Sequence, residues 1–298
     1  MTGGDGIHLT SELLIAQRAA LRASPARSQN VSALPGGFEI RKRGQGQAVA
    51  DSRPYAPGDD MRHVDRGATA RSGKLHVRTF HEERDRVSFL VADFRPSMLW
   101  GMRRALRSVA AAEALAWIGW QAVDAGGRVG LLAVTAQDSV IVGTRGGPRG
   151  MLAVIGGLVR AHATALSRAM QAGSDRQTLA PEPPLDAALA GLARIASRGA
   201  AVTLASALDT PGVGLEPLLG ELAQGRAVRI LRIEDAVLRD LPAGVYPLRG
   251  PDGRRRSARF RAPPAEPHQG TGFAGLETLP IDAGAPPGPA LLRSGLQG

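Results

Sequence analysis

Cysteine is missing from all 298 residues, which excludes disulfides, thiolate metal sites and a cysteine nucleophile. Aromatic residues make up only 4%, so a core must be assembled from Leu, Val, Ile and Ala. Lysine is nearly absent too: Lys42 and Lys74 stand alone among 37 basic residues. A net charge of +10 would by itself raise nucleic acid or an anionic surface as partner. The arginines are scattered, however, and no Phe, Tyr or Trp interleaves with them as a base-stacking platform. Nucleic-acid binding is therefore not expected. No uninterrupted apolar run approaches the roughly 18 residues of a spanning helix, and residues 1–6 lack the basic start and apolar stretch of a signal peptide. The expectation is a cytoplasmic protein without a membrane-spanning segment.

The usual catalytic signatures are missing as well. Gly126-Gly127-Arg128 leads into a strand, whereas a phosphate loop needs Gly-Lys-Ser/Thr opening a helix. No G-x-S-x-G elbow occurs. The six histidines, His8, His63, His76, His81, His162 and His268, show no metal-ligand spacing beyond the pair His76 and His81, whose places are those of surface residues.

What the chain does have is an apolar content of 43% laid out as alternating strands and helices. Residues 87–92, 128–134, 200–205 and 227–233 are short, nearly continuous apolar runs, as in strands buried on both faces. Residues 139–142 and 245–249 read as further strands. Helical periodicity covers residues 7–23, 102–124, 150–171, 185–198 and 215–223. Strands separated by crossover helices predict an α/β fold, a mostly parallel sheet with helices on both faces. From residue 251 onward Pro, Gly, Ala and Arg dominate and periodicity fades, so residues 251–298 are expected to be a largely disordered tail.

Just before the first buried strand lies an unusual charged stretch, Arg53-Pro-Tyr55-Ala-Pro57-Gly58-Asp59-Asp60-Met-Arg62-His-Val64-Asp65, followed by Ala70-Arg71 and Glu82-Glu83-Arg84. Pro fixes φ, Gly tolerates φ > 0 and Asp bonds nearby amides, so Pro57-Gly58-Asp59-Asp60 is a tight turn. Arg53, Arg62 and Arg71 can each fork onto Asp59, Asp60 or Asp65, which would cross-link the stretch into a rigid patch whose charges are partly buried.

This stretch, with Arg43-Gly44-Gln45-Gly46 ahead of it, resembles the signature of the domain-of-unknown-function-58 family, whose members are built on a von Willebrand factor A-like (vWA) domain. The resemblance extends from about residue 9 to Leu241-Pro242-Ala-Gly244-Val-Tyr246. One departure is Arg66, where the family carries Trp. The resemblance implies residues 1–85 as an N-terminal helix plus signature segment and residues 86–250 as a vWA-like, Rossmann-type domain. It also implies a non-enzymatic adaptor working with a MoxR-type AAA+ ATPase on an unidentified client protein. Arg53, Tyr55, Gly58, Asp59, Asp60, Arg62, Asp65, Arg71, Glu82 and Glu83 are then candidates for the partner surface.

A vWA domain places a metal-ion-dependent adhesion site beyond its first strand, built from D-x-S-x-S, a later Thr and a second Asp, hard oxygen ligands suited to Mg²⁺. Here Asp93 and Ser97 keep the outer places of that motif, but the middle Ser is Arg95. The family's later Ser-Asp is Ser206-Ala207, and its Gly-Thr is Pro183-Pro184. A guanidinium beside Asp93 can take the cation's place, so the site is expected to be degenerate, without Mg²⁺ or any other cofactor. The alternatives are a cation-dependent ligand-binding vWA domain and, further off, a hydrolase.

Overall fold

The computed structural model describes residues 5–24, 49–57, 59–80, 86–174, 182–239, 241–249, 254–260 and 272–294. The chain divides into two compact units, residues 36–85 and the remainder.

The larger unit is built on a seven-stranded sheet. Its central strands are β3 (Val87–Asp93), β4 (Arg128–Val134), β6 (Ala201–Ser206) and β7 (Ala227–Glu234). The spatial order, from one edge, is β10 (Gly272–Phe273), β11 (Leu276–Asp282), β7, β6, β3, β4 and β5 (Ser139–Gly146). All neighbours from β11 to β4 run parallel; β10 and β5 are antiparallel edge strands. The mostly parallel α/β sheet read from the sequence is the fold.

Both faces are covered, and the apolar runs divide between them with period two. Leu90 and Ala92 of β3 point into a core with α3 (Arg107–Asp124), α4 (Gly147–Ser174) and α1 (Ser11–Ala23), while Phe89 and Val91 face α5 (Leu185–Leu189), α6 (Leu192–Ile195) and α7 (Leu215–Ala223). In β4, likewise, Leu131 and Ala133 take the first face and Leu132 and Val134 the second. Helix α3 is buried on nearly all sides because α1 lies over it: Leu14 and Leu21 sink into the shared core, and the Trp120 indole donates to the Leu14 carbonyl at 3.0 Å. On its α4 side Gly119 permits a close approach; a Cβ there would stand 2.6 Å from Met151 Sδ. Helix α4 is long and apolar enough by composition to cross a membrane, but 56% of that stretch is buried within the protein.

Three parts of the sequence reading need correction. Helix α1 belongs with the sheet, not with the signature segment, because its apolar stripe is buried on α3. The expected disordered tail is ordered over residues 272–294: β11 extends the central sheet beside β7, and α8 (Gly288–Arg293) packs against Trp117. The single helix expected over 185–198 is two, broken at Ala190-Gly191. Apart from the seven-stranded sheet, β8 (Gly244–Arg249) and β9 (Arg255–Phe260) pair antiparallel as a two-stranded sheet.

Next to the sheet's carboxyl edge, His162 of α4 is almost fully buried, edge-on to Phe94 and 3.1 Å from Ser108 Oγ. Burial, reinforced by His8 and opposed by Asp5, pushes its pKa down to about 4. The unfolded chain therefore takes up this proton first. Stability should be complete above about pH 6.5 and fall as pH drops toward about 4, by up to about 3 kcal/mol from this group. Denaturant unfolding followed across that window should lose most of its slope in His162→Gln; an unchanged slope would assign the pH dependence elsewhere.

Candidate functional site

Parallel strands leave a crevice at their carboxyl ends where the chain order reverses. Here that point lies between β3 and β6: Ala92 and Ala205 are paired in register, which sets Asp93 beside Ser206. Both are fully buried, and Ser206 Oγ donates to Asp93 Oδ2 at 2.7 Å.

After β3 the chain turns through a short 3-10 segment, Pro96–Met98, and Arg95 folds back under it. Its guanidinium is 0% exposed. Nε donates to Asp93 Oδ1 at 2.9 Å and Nη2 to Oδ2 at 2.8 Å, a forked pair, while the Arg95 amide adds a third bond to Oδ1 at 3.0 Å. The remaining nitrogen, Nη1, donates to the carbonyls of Pro183 at 2.7 Å and Thr210 at 3.0 Å, and lies 3.2 Å from Glu182 Oε1. Burial works against the Arg95 charge. The bonds and charge of Asp93, with Glu182 and Asp209, more than offset it and raise the pKa above the ordinary arginine value.

One side chain thus staples three segments: the end of β3, the 182–184 loop and the 208–214 loop. The two loops are also tied to each other, Leu185 N–H to Thr210 O and Asp186 N–H to Pro211 O, both at 3.0 Å, with Asp186 Oδ2 accepting from Gly214 N–H at 2.8 Å. Gly212 must be glycine: its φ is +83° and a Cβ would meet the Asp186 carboxylate at 2.3 Å. Leu208 holds a left-handed φ of 59°, with its amide donating to Ser206 Oγ at 3.0 Å.

Glu182 is the residue that sequence reasoning missed. Its Oε2 accepts from the Ser97 amide at 2.6 Å and its Oε1 from Ser97 Oγ at 2.9 Å, besides the contact with Arg95. No spacing rule links positions 95, 97 and 182; the only local signal was an acid just before Pro183-Pro184. Asp209 pairs with Arg107 at 2.7 Å, and Arg107 lies over the half-buried Trp100 ring at 5.0 Å. At Ala207 the chain offers no side-chain oxygen; its amide meets Met98 Sδ at 3.2 Å.

Mg²⁺ does not fit this donor set. Both oxygens of Asp93 are bonded to one guanidinium, Ala207 stands where a second carboxylate would be needed, and among the described residues no group of three His, Cys, Asp or Glu could hold a metal.

The smaller unit holds the charged signature. Strands β1 (Val49–Pro54) and β2 (His76–Phe80) pair antiparallel around α2 (Arg66–Ser72). Arg53 forks onto Asp59 at 2.5 and 2.6 Å, and Asp59 also accepts from the Ala56 amide at 2.8 Å. The other two carboxylates have a job that was not expected. Asp60 caps a 3-10 turn through the Arg62 amide, and Asp65 caps α2 through the Ala68 amide. The Tyr55 amide bonds Leu75 O at 2.8 Å. Asp60, Arg62 and Arg71 are exposed, which corrects the idea of a wholly self-paired, partly buried patch. Gly58, Glu82 and Glu83 lie outside the described residues, as do Arg43, Gly44, Gln45, Gly46 and Arg84.

Residues 51–258 match the family described as Protein of unknown function DUF58. Uncharacterized proteins of Mycobacterium tuberculosis and Mycobacterium bovis are 33% identical to the chain over 104 residues. That stretch is 35% of this chain and only 33% of each relative's own length. A crystal structure of the conserved hypothetical protein BatB from Bacteroides thetaiotaomicron aligns with 71% of this chain and 98% of its own, at 12% identity and a TM-score of 0.34.

Proposed function

The chain belongs to the DUF58 family, and on that footing we propose that it is a non-enzymatic protein-interaction module with a vWA-like α/β domain, working in the cytoplasm as an adaptor for a MoxR-type AAA+ ATPase. The observation that carries the reading is the Arg95 guanidinium, fully buried and forked onto Asp93 where a vWA domain would hold its cation. On this reading a covalently attached charge stands in for the metal of an adhesion site. An enzymatic reading finds little support: the Ser108–His162 contact is sealed in the core, with both residues at most 1% exposed. The signature unit, with Arg62 and Arg71 exposed beside the Arg53–Asp59 clasp, supplies a basic surface for the ATPase.

Two measurements test this. Thermal unfolding should be indifferent to EDTA and to added Mg²⁺, because a ligand that binds only the native state must raise its stability. A concentration-dependent rise in Tm with Mg²⁺ would favour the cation-dependent alternative. A response to Mg²⁺ should need Arg95→Ser and Ala207→Asp together, since neither alone supplies enough oxygens. The adaptor role predicts co-purification with a MoxR-type AAA+ ATPase that changes with ATP; no association in either state would end it.

A further inference from the structure

We propose that the Ser97–Arg95 corner is a metal-free carboxylate-binding site, occupied in this state by the chain's own Glu182 and destined for an acidic side chain of a partner protein. The inference rests on the interaction-module reading and names the chemistry that its partner must bring. Two donors and a cation converge on one carboxylate there: the Ser97 amide at 2.6 Å and Ser97 Oγ at 2.9 Å donate to it, and the charge of Arg95 Nη1, whose hydrogens go to the Pro183 and Thr210 carbonyls, lies 3.2 Å away. The Arg95 guanidinium is completely buried and anchored from behind by Asp93, so its position does not depend on Glu182. A preset cation flanked by an amide and a hydroxyl is a receptor for an anionic oxygen pair, and such charge-assisted bonds are the strong ones.

The occupant is also informative. Asp93 is 0% exposed and inseparable from Arg95, whereas the Glu182 side chain is 11% exposed and reaches in from a loop, not from the sheet. Withdrawing it strands no buried carboxylate and opens the site to the surface, beside exposed Pro96. In the 208–214 loop, whose Thr210 carbonyl holds Arg95, Val213 projects with its whole side chain in solvent, an apolar contact of the kind a docking protein covers. Glu182 is moreover a glutamate within a polypeptide, so the geometry already accommodates a peptide-borne carboxylate.

Chemical rescue tests the site without needing the natural partner. Glu182→Ala leaves a gap the size of acetate. Acetate at about ten times its Kd should raise the Tm of this variant by roughly 3 °C over the same concentration of chloride. The capped peptide acetyl-Gly-Glu-Gly-amide should do the same. Wild type, its site filled, should not respond, and Ser97→Ala combined with Glu182→Ala, which keeps the amide and Arg95 but loses the hydroxyl, should respond less than Glu182→Ala alone. If Glu182→Ala fails to fold, Glu182→Gln keeps the bulk, and acetate should displace the neutral amide with a smaller rise, still above chloride. Equal responses to acetate and chloride in the folded variant, or an equal acetate response in wild type, would overturn the site. Rescue by acetate but not by the peptide would leave a small-anion pocket and overturn the partner assignment. A negative ATPase experiment, by contrast, removes the adaptor reading and leaves these results intact.

Discussion

Asp93→Ala should lower the stability of the α/β unit by about 3–5 kcal/mol, a drop in Tm of roughly 10 °C. The size follows from what is left behind. Arg95 would keep its two carbonyl partners and Glu182, but Nε and Nη2 would lose both oxygens in a place with no access to water. Ser206 Oγ would lose its acceptor too. An exposed pair broken in the same way costs about 0–1 kcal/mol, so the result separates a buried latch from a surface contact. Combining Asp93→Leu with Arg95→Met removes both charges. It should be less damaging than Asp93→Ala alone, because the stranded charge and not the lost bond dominates the cost. A double variant as unstable as the sum of two singles would contradict that account.

The latch also shows how far local sequence carries an argument. Asp93, Arg95 and Ser97 sit on one strand end and one turn, so their mutual geometry follows from chain connectivity. A guanidinium two residues from a buried carboxylate has few other places to go. Glu182 reaches the same corner across 85 residues, positioned by the sheet register and by loop-to-loop backbone bonds around Thr210 and Pro211. Nothing in its neighbourhood encodes that. The signature unit teaches the converse. Arginine and aspartate at alternating positions suggested a mesh of ion pairs, and two of the three aspartates also bond backbone amides at helix starts. Asp just ahead of a helix has a local partner that forms with the helix itself, a role that the alternating charges do not announce.

The same contrast runs through the sheet. Strands β3, β4 and β6 are legible because burial on both faces leaves almost no polar residue in them. Strand β11 is not: its residues are Leu-Glu-Thr-Leu-Pro-Ile-Asp, and within it only Ile281 is buried. It carries a proline, which a central strand would reject. Past Glu277 its outer side has no neighbouring strand among the described residues, since β10 pairs only with Leu276 and Glu277, so Pro280 breaks no described ladder there. A strand of this kind has no apolar run to announce it, and the Pro- and Gly-rich sequence before it offers no periodicity either.

Ending the chain at residue 271 should therefore abolish the folded α/β unit. The truncation removes five parallel pairings along β7, from Thr278–Ile230 to Asp282–Glu234. It also removes Ile281, Ala283 and Leu291, all at 0% exposure and all in the larger core. The cover over Trp117 goes as well, since Gly288 lies so close that a Cβ would stand 2.8 Å from the indole ring. Lost too are the bonds from Arg104 Nε to Ala283 O at 3.1 Å and from the Ala236 amide to Asp282 Oδ1 at 3.1 Å. Each large apolar side chain is worth about 1.5–3 kcal/mol by burial alone. With the exposed edge of β7, the total reaches the whole stability of a typical domain, about 5–15 kcal/mol. The truncated chain should be insoluble or lack a cooperative transition. If it melts like the full chain, the tail is dispensable and β11 is not part of the working fold. Ile281→Ala supplies the graded version: a loss of about 2–5 kcal/mol is expected of a fully buried isoleucine. An exposed, disordered Ile281 would give no change, so denaturant unfolding of this single variant decides between the two descriptions of the C-terminal segment.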